Sequence, residues 1–481
     1  ESLRRRAQPL FKGPASQETC SNRYGKHSWA IEECGRHAFF ELIFGKVCVR
    51  MPFCGRIFVA IFSVYLQNFF SKGETDMKRR LALLLIALLA LSTVLFVAAC
   101  DDGQRDETQG STVAYDDLTS TGKEQNTYAE LFSIEHFKDE DNNEYSKIDV
   151  FDKNKELNTS WFLLPEGVDS VTDVPGSPYM MTWQDRQNIM VSSASTMALI
   201  NAMGALGRVP MTTADTTWYI QEIKDAIADG TIKEVDKYSS PDYEQILTIG
   251  EEKNVTFAVF STMIDYVPEV YDQLTGTCGL RIMRDQSSSE GHPLARTEWI
   301  KIYGEIFDMR EESDAVFNEQ VAILNETAAK IDVPEAERKP VLIFYTAQDG
   351  VFNVRNAADY VTELVSLAGG RQVAEIGAGK SGNTKMTQEE FIELCSEADY
   401  ILYNWTSGAS GVAGETLDAL IEARLGDWFR DFKACKDGNV WRTSNDFYQK
   451  MDKMGEMVAD IYEMLYGENV SDNLTYVNRL K

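Results

Sequence analysis

One long amphipathic segment, about 311–331, divides this chain into two stretches that each alternate β-rich runs with helical ones. Phe317, Val321, Leu324, Ala328 and Ile331 recur at steps of four and three, so they fall on one face of an otherwise polar helix. Pro334 and Pro340 bound it. Upstream, short β-rich runs near 188–191, 256–260 and 280–283 are interleaved with helical patterns at 196–206, 218–228 and 241–249. Ser240-Pro241 suits an N-cap followed by a first helical position. Downstream, runs at 341–345, 400–403 and 439–442 alternate with helices at 357–368, 388–396, 417–424 and 450–465. Strands separated by helices imply mostly parallel sheets covered on both faces. The predicted fold class is therefore α/β: two Rossmann-like lobes, 127–310 and 339–481, joined by one interdomain helix at 311–331. The first lobe is led by a small β-hairpin or meander within 128–164, where β-formers are broken by Asp-Asn-Asn and Asp-Lys-Asn turns.

Before the lobes, Met77-Lys78-Arg79-Arg80 is followed by an uncharged stretch to Ala99 and then Cys100. A basic start, an apolar run and small residues before a cleavage point describe a secretory signal. The ending Val97-Ala98-Ala99-Cys100 resembles a bacterial lipoprotein signal, which implies cleavage of 77–99 and lipidation of Cys100. The alternative is an uncleaved membrane helix, since the apolar run nearly spans a bilayer. The polar, Asp/Thr/Ser/Gly-rich stretch 100–126 reads as a flexible tether. Residues 1–76, basic and cysteine-richer, precede the signal and read as an upstream extension, with Met77 the expected natural start.

Charge and cysteines narrow the function. The chain carries a net charge of −28, and from Cys100 onward 33 basic side chains face 68 acidic ones. Nucleic acid is excluded as a partner, because a phosphate backbone needs a basic footprint. No CxxC occurs, which removes zinc ribbons and dithiol redox sites. After Cys100 the only histidines are His136 and His292, neither with a second His at ligand spacing, so no metal site is assigned. His292, next to Pro293, reads as a turn residue. No GxSxG, HExxH or Ser/His/Asp set is present, and the chain reads as a non-enzyme. Ala374-Glu375-Ile376-Gly377-Ala378-Gly379-Lys380-Ser381 approaches a phosphate-binding loop but lacks its first glycine.

Two lobes, one linking helix and a lipoprotein-like signal resemble the substrate-binding proteins of ABC importers for iron–siderophores, haem and cobalamin. Landmarks are Ser240-Pro241-Asp242-Tyr243-Glu244-Gln245-Ile246-Leu247 in the first lobe and Met386-Thr387-Gln388-Glu389-Glu390-Phe391 in the second. Both precede a helix and then a strand, and the segment 429–440 matches the family's closing pattern. The stretch His292-Pro293-Leu294-Ala295-Arg296-Thr297-Glu298-Trp299 is similar to a feature of a Gram-positive branch. The resemblance implies a monomeric, lipid-anchored protein on the extracytoplasmic face of the cell membrane. It would capture a ferric siderophore or related metal chelate between the lobes, with only a small closing motion, and deliver it to a permease and its ATPase. Glu244 and Glu389 would dock on permease arginines; Thr387-x-x-Glu390 reads as a capping box, which leaves Glu389 free. Ligand contacts are expected from loops that follow the strands. Trp218, Trp405, Arg284, Arg355 and Arg442 suit flat or anionic chelates through stacking and charge-assisted hydrogen bonds. For haem, a tyrosine such as Tyr345 is the expected axial ligand. No cofactor beyond the ligand is implied. Haem, cobalamin or another small molecule as cargo, and a ligand-sensing surface lipoprotein on the same scaffold, are the alternative readings.

Overall fold

The computed structural model describes residues 110–213, 217–409 and 412–481. The upstream extension, the signal and Cys100 lie outside the described residues. Part of the stretch read as a tether does not: Ser111–Ala114 and Thr119–Lys123 are strands. Each pairs with sequence far from it, Ser111–Ala114 with Val168–Thr172 in parallel and Thr119–Lys123 with Phe132–Lys138 antiparallel. Composition suggested a tether because Thr119–Lys123 is an exposed edge strand with few apolar residues, held by its ladder. The leading module is correspondingly larger than a hairpin. It is a five-stranded sheet in the order Thr119–Lys123, Phe132–Lys138, Glu144–Phe151, Leu157–Leu163 and Tyr179–Met181. Ile134, Ile148 and Trp161 on one face join the first lobe's core, while Phe137, Tyr145 and Phe162 on the other form a separate aromatic cluster.

The first lobe is an all-parallel sheet in the order Lys233–Glu234, Met211–Thr212, Met190–Ser192, Phe257–Ser261 and Arg281–Asp285. Phe257–Phe260 is buried throughout, as expected of a strand covered on both faces. Helix Ala194–Ala202 follows Met190–Ser192, with the Ser193 hydroxyl capping it by accepting from Thr196 N–H at 3.3 Å. Ser240-Pro241 does not open a helix. It pairs with Asp236–Lys237, and Asp242 is the cap of Tyr243–Lys253, its carboxylate accepting from Gln245 N–H at 3.0 Å.

The linking helix is Arg310–Ala328. Its buried residues are Ser313, Phe317, Gln320, Leu324 and Thr327, so the expected apolar stripe holds at Phe317 and Leu324 but Ala328 is exposed. Polar Gln320 is buried because it caps another helix. Its Oε1 accepts from Gly455 and Glu456 N–H at 3.1 and 3.2 Å, and its Nε2 donates to Glu456 Oε1, at the start of the terminal helix Met454–Tyr466. Two first-turn donors that a helix leaves unpaired are thereby satisfied.

The second lobe is a mixed sheet centred on Lys339–Thr346, which pairs in parallel with Tyr400–Tyr403 and Gly370–Gln372 and antiparallel with Phe352–Arg355. Tyr400–Tyr403 pairs in turn with Val440–Thr443, and the edges are closed by antiparallel strands Asn383–Met386 and Val477–Arg479. The capping box at Thr387 and Glu390 is formed, starting helix Gln388–Cys395. The glycine-rich stretch that approached a phosphate loop leads into strand Asn383–Met386, not a helix, so it lacks that motif's geometry. One apolar cluster runs from Ile200 and Trp299 in the first lobe through Phe317 and Leu324 to Ile343, Leu402 and Trp441 in the second. A core shared across both lobes restricts them to small relative motions.

Candidate functional site

The carboxyl ends of the first-lobe strands meet the second lobe at a cavity of about 310 Å³, near the lower end of small-molecule sites. Its first-lobe floor is rich in hydroxyls. Ser192 Oγ and Thr213 Oγ1 lie 2.8 Å apart, and Ser193 Oγ and Ser195 Oγ lie 3.0 Å apart at the amino end of helix Ala194–Ala202. Beneath the floor, the buried Asp285 carboxylate accepts from Thr196 Oγ1, Tyr303 OH and Ser287 N–H, which fixes the loop after the last strand. Trp218 forms an aromatic wall. It is 8 % exposed, and its indole N–H has no hydrogen-bond acceptor among the described residues. A buried donor without a partner costs about 1–3 kcal/mol, so an acceptor on a bound ligand would recover that energy.

The opposite wall comes from the segment that follows Val440–Thr443. Tyr448 and Met451 line the cavity from that side. Tyr448 OH donates to Asn404 Oδ1 and accepts from Arg355 Nη2 at 3.1 Å, while Arg355 Nη1 binds Asp359 Oδ2 at 3.3 Å. Burial pushes the Tyr448 phenol up to about 12, so it remains a neutral donor at physiological pH. Burial opposes the charge on Arg355, but the oxygens of Tyr448 and Asp359 outweigh this and raise its pKa.

Direct bonds hold the walls together. Gln449 Oε1 accepts from Tyr219 N–H at 2.9 Å and its Nε2 donates to Thr217 O at 2.8 Å, which clamps the chain on both sides of Trp218. Arg296 of the first lobe lies 3.7 Å over the ring of Tyr360 in the second and donates to Ser288 O and Glu290 O. Burial lowers the pKa of Arg296, and the ring face and carbonyls stabilise the desolvated cation. Glu298 and Glu290, both nearly inaccessible, accept the backbone N–H groups of residues 127–131 and so anchor the entry to the β module. His292 caps helix Pro293–Glu298, its Nδ1 accepting from Leu294 N–H at 3.1 Å. The distinctive run at 292–299 thus has a structural use at nearly every charged position.

Of the five residues named as ligand contacts, Trp218 lines the cavity, though from a loop, since its helix begins only at Gln221. Arg355 stands one residue behind, through Tyr448. Trp405 and Arg442 form their own pair, with the guanidinium 5.0 Å over the indole and bonded to Glu415 Oε2 at 2.5 Å. Arg284 is held by Asp265 at 2.7 Å and lies over Tyr271. Tyr345 OH meets Asn383 Nδ2 at 3.4 Å, and that tyrosine does not line the cavity. Glu244 and Glu389 are both exposed in the first turns of their helices, where a carboxylate also complements the dipole. The residues missed were Tyr448, Gln449 and Met451. An aromatic pair, Phe447-Tyr448, just beyond the last parallel strand was the available signal.

Part of the chain matches a known family, and several known proteins are similar to it. Residues 271–446 match the family described as periplasmic binding protein. An uncharacterized lipoprotein of Methanocaldococcus jannaschii is 23% identical over 302 residues, covering 60% of this chain and 67% of that protein. Similar solved structures include a periplasmic binding protein from Veillonella parvula (20% identity, TM-score 0.47, 59% of this chain and 92% of that one). An ABC transporter substrate-binding protein from Listeria monocytogenes is another (17% identity, TM-score 0.44, 58% and 98%). A periplasmic heme-binding protein from Pseudomonas aeruginosa is a third (15% identity, TM-score 0.46, 61% and 98%). The matched stretch runs from the end of the first lobe, through the linking helix and most of the second, and over those residues the chain is similar to a periplasmic binding protein.

Proposed function

We propose that this protein captures a metal chelate, a ferric siderophore or haem in the first instance, between its lobes and delivers it to an ABC permease. The observation that carries the reading is the interlobe cavity, where the unpartnered Trp218 indole N–H and the Tyr448 hydroxyl stand with a floor of serine and threonine hydroxyls. Flat or oxygen-rich ligands suit such a site, because the rings stack on planar surfaces and the Trp218 N–H takes a carbonyl or carboxylate oxygen. At about 310 Å³ the cavity is small for a large chelate, so binding one requires the lobes to part slightly. The shared apolar core limits that motion, which matches a delivery protein whose permease reads a modest change of shape.

Lipid on Cys100 would hold the protein on the extracytoplasmic face, where a tether raises its concentration at the permease. Exposed Glu244 and Glu389, one on each lobe, supply a matched pair of carboxylates for permease arginines. Native mass spectrometry of the protein mixed with ferric siderophores, haemin and cobalamin tests the reading. One compound is expected to give a 1:1 adduct; no adduct across the panel would overturn the chelate assignment.

A further inference from the structure

A second constellation lies where the β module meets the first lobe and shares no residue with the interlobe cavity. Glu124 follows strand Thr119–Lys123, His136 sits on Phe132–Lys138, and Glu305 is on helix Ile300–Phe307. His136 Nε2 is 3.9 Å from Glu124 Oε2 and 3.8 Å from Glu305 Oε1, and one ligand atom of each residue lies within 4.8 Å of the others. We propose that these three side chains bind one divalent transition-metal ion of the Zn²⁺ or Mn²⁺ class, which fastens the β module to the lobe.

The hydrogen bonds decide which imidazole nitrogen faces the carboxylates. Ser146 Oγ donates to Glu305 Oε2 at 2.7 Å, so toward His136 Nδ1, at 3.2 Å, it acts as acceptor. Nδ1 therefore carries a proton, and Nε2 is the ring atom that faces the two carboxylates. That arrangement favours a cation between the three groups, either a proton on Nε2 or a metal ion that takes its place. A proton on Nε2 would draw the ring to about 2.7–2.9 Å from a carboxylate oxygen, whereas both separations are near 4 Å. An ion about 2.0–2.2 Å from each donor fits after a small inward movement of the half-exposed Glu124 and His136 side chains.

The surroundings behave as an outer shell. Arg310 Nε binds Glu305 Oε1 at 2.6 Å and Lys301 Nζ binds Glu124 Oε1 at 2.8 Å, orienting both carboxylates while leaving lone pairs for a metal. Charge still favours a cation. Glu124, Glu144, Glu298 and Glu305 face Lys138, Lys301 and Arg310, and Asp314 is close enough to interact with both Lys301 and Glu124. Mixed nitrogen and oxygen donors without sulfur suit zinc or manganese better than a soft ion.

The test is calorimetric titration of the full chain, stripped with EDTA, with ZnCl₂ and separately MnCl₂. One ion is expected to fill one saturable site at micromolar concentration or below and to raise Tm. His136→Gln should weaken it at least 100-fold and Glu124→Gln at least 10-fold, each with unchanged far-UV circular dichroism. The absence of a saturable site, or an isotherm that neither substitution alters, overturns the proposal. X-ray absorption on the loaded wild-type protein gives a readout that needs no variant. A nitrogen/oxygen shell with an imidazole signature is expected, and sulfur in the shell would refute the assignment.

Discussion

Replacing Gly455 by alanine sets helix propensity against packing, and the structure says which wins. In an isolated helix the change would stabilise by about 0.5–1 kcal/mol. Here a Cβ on Gly455 would stand 2.2 Å from the carbonyl oxygen of Gln320, with the carbonyl carbon and Cα of Gln320 at 3.0 and 3.1 Å. These are backbone atoms of the linking helix, so no side chain can swing away. Ordinary contact begins near 3.4 Å, and the two helices would have to separate by more than 1 Å. Overpacking of this kind costs about 1–3 kcal/mol. The same separation weakens the bonds from Gly455 and Glu456 N–H to Gln320 Oε1, each worth about 0.5–1.5 kcal/mol net. Summed against the propensity gain, Gly455→Ala should destabilise by about 2–4 kcal/mol, or lower Tm by roughly 3–5 °C for a folded unit of this size. Differential scanning calorimetry reads it. Gly207→Ala is the control, because nothing lies within 4 Å of a Cβ there and its φ is not positive. An unchanged or raised Tm for Gly455→Ala would refute the close helix contact on which the rigidity of the two lobes depends.

Two further outcomes follow from other parts of the molecule. Asp452 is 5 % exposed, one of its carboxylate oxygens has no hydrogen-bond partner among the described residues, and burial pushes its pKa up to about 6. The folded state therefore holds this proton more tightly than the unfolded chain, so its contribution is fully present below about pH 4 and lost as pH rises through 6. Asp452→Asn should stabilise by up to ~3 kcal/mol at pH 7.5 and by almost nothing at pH 4; equal effects at both pH values in thermal melts would contradict the assignment. Charge reversal at Glu244 and Glu389 together should reduce uptake in cells to background while solute affinity measured on the purified protein stays unchanged, and wild-type uptake would exclude them as docking residues.

The legible and illegible parts of this fold divide by length scale. Tyr400–Tyr403 and the Thr387 capping box could be read in place because their signals are local: an apolar run, and two residues three apart. The linking helix was legible through Phe317 and Leu324, but Gln320 looked like surface because its partner lies 135 residues away. Strands Phe352–Arg355 and Asn383–Met386 escaped notice. The second is polar and lies on the sheet edge, where ladder bonds rather than burial hold it. Trp218 was recognisable as an aromatic near a strand end. Tyr448 and Gln449 were not, because their use depends on the segment after Val440–Thr443 crossing to the first lobe. The same reasoning covers His136. Judged by spacing to another histidine it has no ligand partner, yet folding brings it to Glu124 and to Glu305, 169 residues later.

The claim that solute is held between the lobes is tested most directly by tryptophan fluorescence, titrating the protein with ferric siderophores and haemin in wild-type, Trp218→Phe and Trp405→Phe forms. Trp218 lines the cavity, whereas Trp405 is packed under Arg442 and does not line it. Saturable 1:1 quenching by one chelate is expected to persist in Trp405→Phe and to be largely lost in Trp218→Phe. Quenching that survives in full without Trp218, or no saturable quenching by any chelate, would contradict it.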